Sequence, residues 1–112
     1  MAVIAVADLH GIAGRRDELV ALLQRAEREA AGKTGCQRYT FSVALRDPDQ
    51  FLLVSEWDTQ EALEAHYRSD AFTNFQLGLD GLLARPSELT VYAAEGAIRP
   101  QNTRPMDPRD AD

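Results

Sequence analysis

With 112 residues, 45% hydrophobic and 27% charged, the chain holds enough material for one globular core and no second domain. A formal net charge of −6 speaks against nucleic-acid binding, because affinity for a phosphate backbone needs clustered Lys and Arg. No stretch approaches the roughly 20 apolar residues of a membrane-spanning helix, and Cys36 has no second cysteine to pair with and no Cys/His cluster around it. No disulfide, zinc or iron–sulfur site is therefore expected, and the expected compartment is reducing and cytoplasmic.

Residues 2–10, rich in Val, Ile and Ala, read as a short buried strand closed by Gly11 and Gly14. They lack the basic flank of a signal peptide, and Asp8 interrupts the apolar run too early. From Arg15 or Arg16 to Ala31, the apolar residues Leu19, Leu22, Leu23, Ala26 and Ala30 form one stripe of a helix, stopped by Gly32 and Gly35. Over residues 36–45, Tyr39, Phe41, Val43 and Leu45 alternate with Arg38, Thr40, Ser42 and Ala44, which is strand periodicity. Asp47-Pro48-Asp49-Gln50 is a turn, and Phe51 to Trp57 is the returning strand of an antiparallel hairpin.

Asp58 or Thr59 then caps a helix running to about Tyr67, with Glu61 three residues after Asp58 as in a capping box. Ser69-Asp70 caps a second helical segment whose face carries Phe72, Phe75, Leu79, Leu82 and Leu83, weakened in its second half by Gly78 and Gly81. Residues 87–95 read as the last strand. Residues 97–112 contain Pro100, Pro105 and Pro108 and three Arg balanced by three Asp, so they form a tail or arm, and the acidic excess sits on the domain at 1–96.

This order is β-α-β-β-α-β with the second helical region broken in two: a ferredoxin-like α+β domain with a four-stranded antiparallel sheet. Two helices can cover only one face of such a sheet. The other face is also apolar, since Phe51, Leu53 and Trp57 alternate with Leu52 and Val54, and a face-to-face homodimer would bury it.

The run Phe51-Leu-Leu-Val-Ser-Glu56-Trp57-Asp58-Thr59-Gln-Glu-Ala-Leu-Glu-Ala-His66-Tyr67-Arg-Ser69-Asp-Ala-Phe72 resembles the antibiotic biosynthesis monooxygenase family, with its E-x-W/Y, capped helix, A-x-H and S-x-x-F pattern. Gly35-Cys36 before an aromatic strand fits as well, and the likeness covers roughly residues 2–95. It implies a dimeric α+β barrel. For function it implies a cofactor-independent monooxygenase acting with O₂ on a small electron-rich aromatic such as a hydroquinone or anthrone. The family also contains heme-degrading enzymes, an isomerase and proteins without assigned activity. A small-metabolite isomerase and a non-catalytic dimeric ligand-binding barrel are thus the alternatives. Heme-degrading members carry an Asn in the first strand where this chain has Asp8, so heme is not expected as a cofactor.

His66 follows Leu63 by three and so lies near the apolar face of its helix. There it either lines a pocket, accepting a proton or stabilising an anion, or it fixes the helix–sheet junction through a hydrogen bond. Trp57 walls an aromatic pocket or packs the edge of the core, and Tyr39, Tyr67 and Phe72 are core residues with a secondary share in any pocket. Asp8 and His10 lie on one side of the first strand; Asp8 either binds substrate or orients a histidine there, or the pair emerges at an exposed strand end. Gly11-Ile-Ala-Gly14 matches no phosphate loop.

Overall fold

A computed structural model describes residues 1–100 and contains seven elements. They are β1 (Ala2–His10), α1 (Arg16–Ala31), β2 (Cys36–Val43), β3 (Gln50–Trp57), α2 (Gln60–Tyr67), α3 (Asp70–Gly78) and β4 (Glu88–Ala94). All neighbouring strands are antiparallel, in the order β2-β3-β1-β4. This is the ferredoxin-like arrangement, with the second helical region divided at Ser69 as the caps predicted. Most of the expected tail, residues 101–112, lies outside the described residues; residues 96–100 adopt no regular structure.

The strand period of two decides which side chains meet the helices. In β1, Val3, Ala5, Ala7 and Leu9 are buried, and in β3, Phe51, Leu53, Ser55 and Trp57. Against them α1 lays Leu19, Leu23, Ala26 and Ala30, four of the five residues of the stripe read from the sequence, with Leu22 only partly buried. The opposite sheet face carries Ile4, Val6, Leu52, Val54 and Tyr92, with Ile4 paired to Tyr92 and Val6 to Val54. Leu52 is 37% exposed and Tyr92 56%, so this face is open in the single chain.

Several local expectations change. Thr59, not Asp58, is the N-cap of α2, accepting a hydrogen bond from the Ala62 amide at 3.1 Å. Glu61 thus falls one position short of where a capping box needs it. Leu45 lies past the end of β2 and is fully exposed, because the chain has already entered the Asp47 turn. There the Asp47 side chain accepts from the Asp49 amide at 2.9 Å. Cys36 shares the helix side with Tyr39 despite opposite parity, because a register shift between Cys36 and Arg38 inserts an extra residue.

The helix stop is divided between two glycines. Gly32 ends α1 with φ −88°, and Gly35 alone takes the left-handed conformation, φ +83°. A Cβ on Gly35 would come within 2.7 Å of the Ala62 Cβ, while its carbonyl accepts from the Asp58 amide at 2.8 Å. Glycine here lets the start of α2 sit directly on the α1–β2 loop. That contact brings the His66 helix beside residue 33.

Candidate functional site

Between the sheet and the α2–α3 pair lies a cavity of about 120 Å³. That is the order of the roughly 150 Å³ engineered cavity that accepts benzene, so the enclosed part suits one aromatic ring. Tyr39, His66, Tyr67 and Phe72 line it, joined by Phe41, Ser55, Phe75 and Leu89. Four of the six side chains singled out in the sequence therefore converge.

Each is delivered by a simple local rule. Tyr39 alternates onto the helix side of β2, opposite Ser55 of β3. Leu63 and His66, three apart, are the two buried residues of α2. Ser69 caps α3 by accepting from the Phe72 amide at 3.2 Å, which sets the Phe72 ring against Tyr67, with centroids 5.0 Å apart.

Trp57 stands behind this wall. It is 1% exposed and stacks on the His66 imidazole at 4.8 Å with 28° between planes. Tyr39, Tyr67 and Phe72 approach the same ring at 5.4, 5.6 and 5.0 Å. Asp8 is not part of the group. The alternation that buries Ala7 and Leu9 turns Asp8 and His10 to the open sheet face, where Asp8 borders a shallow depression with Ser42 and Leu52.

The residue that sequence reasoning missed is Lys33. Its Nζ lies 2.7 Å from His66 Nδ1 and 2.8 Å from Ser69 Oγ. One signal was present: of twelve basic residues, Lys33 is the only lysine, all others being arginine. It follows the end of α1, where a cation interacts favourably with the unpaired carbonyls.

Burial, with a smaller push from the Lys33 charge, lowers the His66 pKa to about 4, so the imidazole is neutral at pH 7. Burial likewise lowers Lys33, opposed by the Glu29 carboxylate, and raises the Tyr39 and Tyr67 hydroxyls, which stay protonated. None of the residues lining the cavity is a carboxylate. The wall is apolar with a few neutral hydrogen-bonding groups, and a cation stands one residue behind it.

Comparison with known proteins gives this arrangement its relatives. A candidate antibiotic biosynthesis monooxygenase from Deinococcus radiodurans superposes with a TM-score of 0.83 at 27% identity, covering 89% of this chain and 99% of its own. Rv0793 from Mycobacterium tuberculosis has the same fold, with a TM-score of 0.81 at 23% identity over 88% of this chain and 100% of its own. The uncharacterized protein sll1783 of Synechocystis is 28% identical over 78 residues, which are 70% of this chain; the chain spans about half, 53%, of that relative. The sequence profile "Antibiotic biosynthesis monooxygenase" matches residues 2–77, more than half of the chain. By this match the chain belongs to the antibiotic biosynthesis monooxygenase family.

Proposed function

We propose that the chain is a homodimeric, cofactor-independent monooxygenase that oxidises a small electron-rich aromatic, a hydroquinone or an anthrone, in the cavity beside His66. The observation that carries this reading is a buried imidazole among the side chains lining an aromatic cavity free of carboxylates. Substrates of this class lose a proton to solvent to give a delocalised anion, and the anion, held in the cavity, supplies the electrons to O₂. For an anthrone the balance is one CH₂ converted to C=O, with one oxygen atom of O₂ retained and the other released as water. The protein must then stabilise the anion, orient the ring and exclude bulk water.

His66 serves as anion stabiliser in this reading. A pKa of about 4 makes it a poor proton acceptor at neutral pH, whereas a buried N–H is an effective donor to an oxyanion. Tyr39, Tyr67 and Phe72 shape the ring-binding wall and Trp57 supports His66 from behind. The same low basicity favours the second reading, a non-catalytic ligand-binding barrel, because no strong base lines the cavity.

Oxygen uptake with anthrone and hydroquinone substrates on metal-stripped protein separates the two. The expected result is one O₂ consumed per anthrone, with His66→Ala slower by about 10²-fold, the usual cost of losing an oxyanion donor. Thermal stabilisation by the aromatic without oxygen uptake would move the assignment to ligand binding. Turnover unchanged in His66→Ala would remove the role given to that residue.

A further inference from the structure

We infer that Lys33 is a positioning residue that holds His66 as the Nε2–H tautomer, so that the cavity is built to receive an anionic oxygen, a phenolate or enolate. The oxyanion part rests on the reading that the aromatic ligand binds beside His66; the tautomer part stands on the hydrogen-bond geometry together with Lys33 being an ammonium, the form that the Glu29 carboxylate favours.

The chain of bonds starts at the Ser69 hydroxyl. Its hydrogen is committed to the His66 carbonyl oxygen at 2.6 Å, so only its lone pairs remain for other partners. They accept from the Phe72 amide at 3.2 Å and from Lys33 Nζ at 2.8 Å. Lys33 is thus a donor to Ser69. An ammonium has three hydrogens and no lone pair, so it must donate toward His66 Nδ1 as well, at 2.7 Å. Nδ1 then carries no hydrogen, and a neutral imidazole has its hydrogen on Nε2.

That Nε2 is buried and has no hydrogen-bond partner among the described residues. A buried N–H without a partner costs free energy, and in a residue that lines a ligand-sized cavity an acceptor on the ligand would satisfy it. The surroundings specify its charge. Groups packed about His66 are the rings of Tyr39, Trp57, Tyr67 and Phe72 and the Lys33 amine, while the Glu29 carboxylate lines a smaller neighbouring cavity that Lys33 and His66 also border. An anion at Nε2 therefore meets a donor backed by a cation through the imidazole, and no carboxylate in the cavity wall opposes it.

The geometry also explains why the position is lysine in a chain that otherwise uses arginine. Nδ1 and Ser69 Oγ are reached by hydrogens radiating from one nitrogen, which a compact ammonium directs tetrahedrally and freely, whereas a guanidinium nitrogen directs its two hydrogens only within the guanidinium plane.

Nitrogen-15 NMR of the imidazole rings tests this directly. The chain has two histidines, His10 and His66, so assignment is simple. In the native protein between pH 6 and 8, His66 is expected to show a protonated Nε2 and an unprotonated Nδ1. In Lys33→Met the two nitrogen signals should move toward each other as both tautomers become populated. Binding of 4-nitrophenolate should weaken about tenfold in Lys33→Met, with nitrobenzene affinity unchanged.

Native spectra with the hydrogen on Nδ1 overturn the inference whether or not the variant folds. An Nε2–H signal that Lys33→Met leaves unmoved overturns the role of Lys33. If neither probe binds the native protein, the oxyanion part falls together with the proposed site, while the tautomer result is read independently.

Discussion

Trp57 and His66 stack face to face, 4.8 Å apart and 28° from parallel, although one ends β3 and the other lies in the last turn of α2. The indole is 1% exposed and its Nε1 has no hydrogen-bond partner among the described residues. The pair joins the sheet to the helix that carries the candidate site. Any loss of the indole is therefore felt by the imidazole.

Trp57→Ala should cost about 3–5 kcal/mol, the range for deleting a large buried aromatic. Trp57→Phe keeps a ring against His66 and removes an unsatisfied donor, so it should cost less than about half as much. Urea denaturation of the three proteins measures both. Equal losses for Phe and Ala would mean that a phenyl ring recovers none of the packing against His66, contrary to this ordering.

The same burial makes stability depend on pH through His66. Its folded pKa of about 4 lies below the ordinary value of 6.5, so the unfolded chain binds the proton more readily. The contribution of neutral His66 is complete above about pH 6.5 and is lost as pH falls from there toward 4. The full loss is on the order of 3 kcal/mol. Urea midpoints of the native chain and His66→Gln should converge in slope above pH 7 and diverge below 6.5, with the native chain falling more steeply. Parallel curves would contradict the depressed pKa. Trp57, the single tryptophan, offers a second readout, since a protonated imidazole quenches an indole stacked on it.

Pairing of two open sheet faces predicts a sharp response to charge at the centre of that face. Val54 sits there opposite Val6, flanked by Leu52. Val54→Asp should convert a dimer to a folded monomer at micromolar concentration by sedimentation equilibrium, because an unpaired carboxylate would be buried in the interface. Native protein that sediments as a monomer at that concentration would remove the homodimer from the proposal.

Periodicity, with the caps and turns, determined the elements, the core stripe of α1 and the two apolar faces of the sheet, and it placed Tyr39, His66 and Phe72 on apolar faces of their elements. Each of these follows from which residues share a face of one helix or one strand, and that is local information. The same rule correctly applied also separates Asp8 from the cavity, since neighbours in a strand face opposite layers. Lys33 was not legible in this way. It lies 33 residues from His66 and 36 from Ser69, and the three meet only because Gly35 admits α2 onto the end of α1. Tertiary structure decided that contact, and with it whether His66 offers a lone pair or a hydrogen. An imidazole's proton goes where its neighbours send it, and those neighbours are distant in the chain.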